Sequence, residues 1–252
     1  MVKYICGRNS LADAIKNGFI FKEIYLLKPT NDQIFLKQKV KIVSRDFLDK
    51  LVSLNHQGFV GVLENFKFFE IDTLVKDKPK IILILDHIQD QNNLGNIIRT
   101  ANCFGIKHII LPKKRAAKLN ETTMKVSSGG FVGLKFILVN SIVSAINKLK
   151  EMDFWIYATD LKEKSRKIQE IQFNYPCAII LGNEATGIKK SSLNASDQTF
   201  FIPLEGTVNS LNVTVATGII LFFLKQNIKK QKYKGKKCVF YVTRAKGKNK
   251  KK

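Results

Sequence analysis

The chain has 252 residues, of which 45% are hydrophobic, so it can bury a substantial core and is not a disordered protein. Its 43 Lys and Arg residues against 20 Asp and Glu residues give a formal net charge of +23. This excess predicts a polyanionic partner, with RNA, DNA or an anionic membrane surface left open, or else a lysine-rich composition kept for solubility. The four cysteines are scattered and include no CxxC pair, which argues against a zinc site or a disulfide framework. No apolar run reaches the roughly 20 residues of a membrane span. We therefore expect a cytoplasmic protein.

Residues 1–75 are predicted to form a small mixed α/β domain that ends in a linker. The segments "SLADAI" (10–15) and "RDFLDKLVSL" (45–54) have helical spacing, while "EIYLL", "KIV" and "FVGVL" resemble short strands. The charged stretch "ENFKFFEIDTLVKDKPK" (64–80) then interrupts the apolar pattern, and it is the predicted linker.

Residues 76–228 are predicted to form a second, α/β domain. Apolar runs of strand length alternate with helical segments such as "LGNIIRTANCFG" and "SIVSAINKLKEM"; the runs are "KIILILD", "HIILP", "LKFILV", "DFWIYATD", "CAIILGN" and "QTFFIPL". This alternation predicts a parallel sheet covered by helices on both faces, and such sheets bind ligands at the carboxyl ends of their strands. From residue 225 onward the chain has 13 basic residues and no acidic one, which predicts a basic tail over 229–252.

The first polar segment of this domain is "DHIQDQNNLGNIIRTANCFG" (86–105), which follows a predicted strand and opens a helix. Asn93 and Arg99 flank the start of that helix and are candidate site residues. Alternatively, Asn92 or Asn93 caps the helix and Arg99 is a solvated surface residue.

The second polar segment is "LGNEATGI" (181–188), which directly follows another predicted strand. Gly182 and Gly187 have the spacing of a phosphate-binding loop, but Ile188 stands where that loop needs Lys, so nucleotide hydrolysis is rejected. A glycine-permitted turn remains, with exposed backbone groups and the side chain of Glu184, although a plain turn accounts for the pattern equally well.

The third polar segment is "FIPLEGTVNSLNVTVATGI" (201–219), which leads into the last helix. Ser210 and Asn212 stand at the start of that helix, either as a cap or as part of an active site. The apolar residues that follow, up to Leu224, predict a buried, dimer-forming helix. The chain lacks a GxGxxG fingerprint, which argues against a Rossmann dinucleotide site.

Together, "NNLGNIIRTA", "LGNEATG" and "IPLEGTVNSLNVTVATGI" resemble in order and spacing the three motifs of the SpoU/TrmH branch of SPOUT RNA methyltransferases. The resemblance runs through residues 80–226. In addition, "ICGRNSLADAI", "KEIYLL" and "NHQGFVGVL" resemble the small substrate-binding domain of many of these enzymes. The resemblance implies a deep C-terminal trefoil knot, a homodimer, S-adenosylmethionine as the cofactor and RNA as the substrate.

Matching positions give each site residue an implied role. Backbone groups at Gly182, Ile202 and Leu211 are expected to hold the cofactor, with Thr159 as a further candidate. The expected catalytic residues are Arg99, Asn93, Glu184, Ser210 and Asn212. Arg99 is expected to bind a phosphate and stabilise the developing alkoxide, Asn93 to orient Arg99 or the ribose, and Glu184 to pair with a cation or shape the loop of the second motif. Ser210 and Asn212 are expected to fix the third loop and contact the reacting nucleotide. A general-base role for Arg99 is less favourable, because lowering its pKa of above ~12 to near neutrality costs on the order of 7 kcal/mol.

Within the family the chain looks closest to the enzymes that methylate a guanosine of large-subunit ribosomal RNA. A tRNA 2′-O-methyltransferase and a non-catalytic RNA-binding or ribosome-assembly factor remain as alternatives. Arg8, Asn9 and His56 lie in the segments that resemble the substrate-binding domain, where they either contact RNA or are structural.

Overall fold

Two β-sheets organise the chain in a computed structural model that describes residues 3–161 and 165–232. The predicted basic tail lies outside the described residues from position 233 onward. Among the described residues, the last helix continues to Lys232, so it extends into the region predicted as tail.

The N-terminal domain is a mixed four-stranded sheet with three short helices. Its elements are β1 (Tyr4–Cys6), α1 (Arg8–Lys16), β2 (Phe21–Leu26), α2 (Gln33–Leu36), β3 (Val40–Ile42), α3 (Arg45–Leu51) and β4 (Phe59–Leu63). The strand order is β1-β4-β2-β3, with β3 parallel to β2 and the other pairs antiparallel. Neither β1, of three residues, nor α2, of four, was predicted.

The segment predicted as a linker packs against the second domain. It contains α4 (Thr73–Asp77), and its Phe69 N–H donates to the Phe136 carbonyl at 2.9 Å. Ile71 and Leu74 are buried in the hydrophobic core of the second sheet. The charged residues that suggested a linker therefore lie on the outer side of an ordered connection.

The second domain contains all of its predicted strands and five further helices. Its elements are β5 (Ile81–Asp86), α5 (Gln91–Cys103), β6 (His108–Pro112), α6 (Glu121–Val126), β7 (Lys135–Val139), α7 (Ile142–Glu151), β8 (Trp155–Thr159), β9 (Arg166–Lys167), a 3-10 helix (Ile168–Glu170), β10 (Cys177–Gly182), α8 (Lys190–Ala195), β11 (Gln198–Phe201) and α9 (Val213–Lys232). The strand order is β7-β6-β5-β10-β8-β11-β9, and every pair is parallel.

Burial on both faces confirms the predicted covered parallel sheet. In β5, Leu83 and Leu85 join one hydrophobic core together with Ile97 of α5, whereas Ile82 and Ile84 join a second core together with Leu149 of α7. Adjacent residues of a strand point to opposite faces, so a strand buried on both faces has the continuous apolar sequence seen here.

The two domains share a hydrophobic core. Phe19 of the N-terminal domain packs edge-to-face on Phe131 with ring centroids 5.6 Å apart. The Glu121 carboxylate at the start of α6 accepts hydrogen bonds from the backbone N–H groups of Lys3 at 3.2 Å and Tyr4 at 3.4 Å. The N-terminal domain is therefore docked onto α6 and the segment that follows it.

The last helix is only partly buried. Ile220, Leu221 and Leu224 are buried against the sheet, but Val215 and Phe222 are 51% and 54% exposed. The single chain thus buries only part of the apolar run and leaves an apolar strip on α9 facing outward, and the predicted burial in a dimer stays a prediction. No helix in the described part of the chain is long and apolar enough to cross a membrane.

Candidate functional site

The carboxyl ends of β8, β10 and β11 and the start of α9 surround a cavity of about 690 Å³. Gly182, Ile202 and Leu211, the three residues predicted to hold the cofactor, all line it, and so does Thr159. A cavity of several hundred Å³ is the usual size of a small-molecule site. Gly182 is paired with Asp86 across β10 and β5, so the first two polar segments leave the sheet at the same level.

The loop after β10 is a tight turn in which a side chain at position 182 has no space. A Cβ atom on Gly182 would lie 2.5 Å from the carbonyl carbon of Gly187 and from the backbone nitrogen of Ile188. Asn183 and Gly187 exchange two backbone hydrogen bonds of 3.1 and 2.9 Å, and Gly187 has a φ of 67°, which favours glycine. The two glycines therefore close this turn, which places Glu184 at its tip.

Asn93 joins the first polar segment to the other two. Its Nδ2 donates to the Glu184 carboxylate at 2.7 Å, and its Oδ1 accepts from Asn212 Nδ2 at 3.0 Å and from Thr214 Oγ1 at 3.4 Å. A carboxylate only accepts hydrogen bonds, so these partners fix the orientation of the Asn93 amide. Asn93 is thus joined to Glu184, 91 positions away, and to Asn212, 119 positions away, so that three predicted catalytic residues form one hydrogen-bonded chain.

The caps of the two site helices differ from the alternatives considered from sequence. Asp90 Oδ1 accepts from the Asn93 N–H at 2.7 Å and caps α5, so neither Asn92 nor Asn93 is the cap. At α9 the Asn212 Oδ1 accepts from the Thr214 N–H at 2.8 Å, so Asn212 rather than Ser210 fills that role. Asn212 is consequently both a cap and a partner of Asn93.

The third segment leaves backbone groups facing the cavity. Ser210 and Leu211 are exposed and line it together with Ile202. The backbone N–H and C=O groups of Ile202 and Leu211 make no hydrogen bond with any other described residue. They are therefore available to a ligand in the cavity.

Arg99 stands apart from this cluster. It is exposed on α5, six residues after Asn93, and it neither lines the cavity nor makes a side-chain hydrogen bond among residues 3–161 and 165–232. The backbone at Arg99 is closely covered, since a Cβ on Gly130 would lie 2.7 Å from its Cα. The helix is thus held in place at this point, while the guanidinium is free to meet an external group.

Two features of the site were not predicted. Asn183 Oδ1 accepts from the N–H groups of Ala185 at 2.9 Å and Thr186 at 3.1 Å, and its Nδ2 donates to the His87 carbonyl at 2.9 Å. Asn followed by residues that turn back is a recognisable Asx-turn pattern, so the sequence contained that signal. The second feature is a buried Asp86 that accepts from the adjacent His87 Nδ1 and from the Lys189 N–H, and only the folded chain brings Lys189 to Asp86.

The candidates in the N-terminal domain divide into exposed and structural residues. His56 is 4% exposed; its Nε2 pairs with the Asp49 carboxylate at 2.9 Å and its Nδ1 accepts from the Gly58 N–H at 2.9 Å, which makes it structural. Arg8 is exposed and forms an ion pair with Asp32 at 3.0 Å. Asn9 lies on the exposed side of α1.

The buried thiols are not candidate nucleophiles. Burial raises the pKa of both Cys6 and Cys177 to about 12, so each thiol stays protonated near neutral pH. The chemistry of this protein is therefore to be sought in the cavity and its rim.

Comparison with known proteins gives matches over both domains. Residues 80–222 match the SpoU rRNA methylase family, and residues 4–69 match a domain described as RNA 2′-O ribose methyltransferase substrate binding. A 23S rRNA (guanosine-2′-O-)-methyltransferase of Acinetobacter baylyi is 37% identical over 73% of this chain and 76% of that protein. An uncharacterized tRNA/rRNA methyltransferase of Borreliella burgdorferi is 37% identical over 78% of this chain and 92% of that protein.

Solved structures share the fold. The SpoU methyltransferase AviRb of Streptomyces viridochromogenes superposes with a TM-score of 0.78 at 18% identity, over 90% of each chain. An rRNA methyltransferase of Sinorhizobium meliloti superposes with a TM-score of 0.77 at 24% identity, over 90% of this chain and 87% of that one. The small mixed sheet docked on a larger parallel sheet is thus an arrangement shared with these solved structures.

Proposed function

The chain belongs to the SpoU family of RNA 2′-O-methyltransferases, and we propose that it methylates the ribose 2′-hydroxyl of a guanosine in 23S ribosomal RNA with S-adenosylmethionine as methyl donor. The observation that carries this proposal is the contact among the three polar segments: Glu184 and Asn212 line the cavity, and Asn93 of the first segment binds both of them. The choice of a 23S guanosine is supported by the activity for which the Acinetobacter baylyi relative is named.

The residues of the cavity fit the proposed cofactor. S-adenosylmethionine supplies a methyl group on a positively charged sulfur, together with an adenosine that needs hydrogen bonds and apolar contacts. The apolar side chains of Ile202, Leu204 and Leu211 line the cavity, and the backbone groups of Ile202 and Leu211 are available. Main-chain N–H and C=O groups satisfy the polar edges of an adenosine without a dedicated charged side chain.

We propose that the remaining polar residues align the ribose. The 2′-hydroxyl has to approach the methyl group in line, lose its proton and have its developing negative charge stabilised. Asn93 is held by Glu184 on one side and Asn212 on the other, so it presents a fixed amide at the rim of the cavity. Ser210 is exposed on the same rim and is suited to contact the reacting nucleotide.

For Arg99 we propose contact with RNA rather than with the cofactor. Its guanidinium is exposed and lies outside the cavity wall, and it is a permanent cation whose planar donors match a phosphate. Bound to the phosphate beside the target ribose, it would stabilise the charge that forms on the 2′-oxygen.

We further propose that the protein is a homodimer and that its C-terminal segment forms a trefoil knot. The outward apolar strip of α9, formed by Val215, Ile219 and Phe222, supports the dimer because contiguous exposed apolar surface is typical of protein interfaces. The knot is supported by the three polar segments that surround the start of α9 and by family membership. We also propose that the protein works in the cytoplasm, where its RNA is made.

The substrate assignment is tested by mapping 2′-O-methylated nucleotides in total RNA from cells with and without the protein. Loss of one mark in 23S RNA supports the proposal, and loss of a mark in tRNA instead supports the second candidate, which is favoured by relatives named tRNA/rRNA methyltransferases. An unchanged set of marks would mean a non-catalytic RNA-binding or assembly role and would refute the proposal.

The role of Arg99 is tested by Arg99→Ala and by the matched Arg99→Lys. We expect both variants to bind S-adenosylmethionine as the unaltered protein does, because the side chain does not line the cavity. Methyl transfer should be abolished in Arg99→Ala and partly kept in Arg99→Lys, which retains charge but not the planar donors. Full transfer by Arg99→Ala would refute the catalytic role.

A further inference from the structure

A basic loop follows β6 and lies outside the cavity and its rim. Residues 113–118 have the sequence "KKRAAK", and all four cations of this loop are exposed; they are Lys113, Lys114, Arg115 and Lys118. None of them forms an ion pair with another described residue. The positive charge of the loop is therefore not neutralised within this part of the chain.

Hydrogen bonds hold the loop in place at both ends. The Lys113 N–H donates to the Val139 carbonyl at 2.9 Å, and the Ala117 N–H donates to the Ile88 carbonyl at 2.7 Å. At its far end the Lys118 carbonyl accepts from Thr123 Oγ1 at 3.0 Å. Because its backbone is already ordered, the loop loses less backbone conformational entropy on binding a ligand than a flexible loop would.

The loop lies between the N-terminal domain and the cavity. It starts at the carboxyl end of β6, two strands from β10, and strands in a sheet are about 4.8 Å apart, which gives about 10 Å to the level of Gly182. It leads directly into α6, whose Glu121 binds the backbone of the N-terminal domain. Its bond to Ile88 also attaches it to the segment that opens α5.

We propose that loop 113–118 binds successive phosphates of the RNA strand that runs from the N-terminal domain to the cavity. This inference rests on the proposed function for the identity of the polyanion. Six residues span at most about 18 Å when extended, which exceeds one phosphate group and suits several in a row. An extended anionic strand therefore fits the loop better than a single small anion does.

The test compares two full-length variants that each lose four positive charges. The loop variant carries Gln in place of Lys113, Lys114, Arg115 and Lys118. The control variant carries Gln in place of four exposed lysines near the opposite, amino-terminal edge of the same sheet, which are Lys76, Lys78, Lys80 and Lys107. Both variants keep the basic tail and lose the same number of charges. A difference in RNA binding between them therefore reports where the removed charges lie and not how many were removed.

Binding is measured with a fluorescent single-stranded RNA of about twenty nucleotides and mixed sequence, titrated at several salt concentrations. Each phosphate contact in a single strand contributes about 0.7 to the slope of log K against log salt, so losing four contacts should lower the slope by about 2 to 3. We expect the slope for the control variant to fall by less than about 1. Thermal unfolding and S-adenosylmethionine binding should match the unaltered protein in both variants.

An unchanged slope in the loop variant, or an equal fall in both variants, would overturn the inference. Its failure is distinguishable from failure of the proposed function. If the unaltered protein methylates 23S RNA and the loop variant keeps its salt slope, only the role of the loop is wrong. If the loop variant loses its slope but the unaltered protein modifies no RNA, only the proposed reaction is wrong.

Discussion

The hydrogen bond between Asn93 and Glu184 gives the sharpest test of how the site is assembled. Asn93→Asp keeps the shape of the side chain but replaces the donor that faces Glu184 at 2.7 Å with an acceptor. The acceptor that faces Asn212 at 3.0 Å is retained. The substitution therefore breaks the bond between the first and second segments and leaves the bond to the third.

The expected loss follows from the type of bond. A hydrogen bond to a charged group contributes about 1.5 to 3 kcal/mol, and both side chains are near solvent, so repulsion between the two carboxylates adds only on the order of 1 kcal/mol. The two contributions together are about 2.5 to 4 kcal/mol. Since about 1.4 kcal/mol is a factor of ten, kcat/KM for methyl transfer should fall by about sixty- to seven hundred-fold. The loss should shrink as the pH is lowered, because protonating one carboxylate restores a donor.

The matched rescue is the double variant N93D/E184Q, which reverses the donor and the acceptor across the same bond. We expect it to recover most of the activity that Asn93→Asp loses, with a coupling free energy above about 0.5 kcal/mol in the double-mutant cycle. Affinity for S-adenosylmethionine, measured by calorimetry, separates assembly of the loops from chemistry. Strictly additive effects in both measurements would refute the reasoning that this bond holds the segments together.

Two further predictions use the glycine turn and a buried histidine. Gly182→Ala should strongly reduce S-adenosylmethionine binding measured by calorimetry, because the added Cβ would lie 2.5 Å from the backbone of the turn. The control Gly206→Ala should bind S-adenosylmethionine normally, since its Cβ would have nothing within 4 Å. Equal binding by the two variants would contradict the prediction. Burial lowers the pKa of His108 despite the Asp77 carboxylate at 2.7 Å from its Nε2. The unfolded chain then binds more protons, so stability should fall as pH drops below ~6.5. Urea unfolding should show that the free energy of unfolding falls less between pH 7.5 and pH 5.5 for His108→Gln than for the unaltered protein. An identical fall in both proteins would mean that His108 does not cause the loss of stability.

The central strands of the second domain were predictable because they are buried on both faces, whereas β9, which consists of two exposed residues, was not predicted. A segment such as Ile81–Asp86 is a continuous apolar run bounded by charged or polar residues, and a run of that length and composition is typical of a strand in a covered parallel sheet. The short helices α6 and α8 were not predicted, since six residues give less than two turns of periodicity. Asn120, directly before α6, caps that helix, while α6 packs on α5 and β1 and α8 packs on α7.

The site was predictable as a set of segments but not as a set of contacts. Family resemblance selected Asn93, Glu184 and Asn212, yet no local pattern indicates that an amide at position 93 bridges the other two. That bridge depends on the register that pairs Gly182 with Asp86. The cap at Asp90 shows the same limit, because Asp90, Asn92 and Asn93 are all residue types that cap helices and only the backbone geometry chooses one.

The docking of the two domains constrains how an RNA is selected. Phe19 and Phe131 pack in a core common to both domains, and Phe69 pairs with the edge of the large sheet, so the connecting segment is not a hinge. If the N-terminal domain recognises RNA as proposed, the distance from that recognition site to the cavity is set by packed side chains. An RNA then has to present its 2′-hydroxyl at that distance, which a regular helix does poorly because its riboses are held in the duplex. Selection by a rigid spacing favours a folded RNA with an exposed nucleotide, and the proposed role of the basic loop over 113–118 is to bind the phosphates of that RNA.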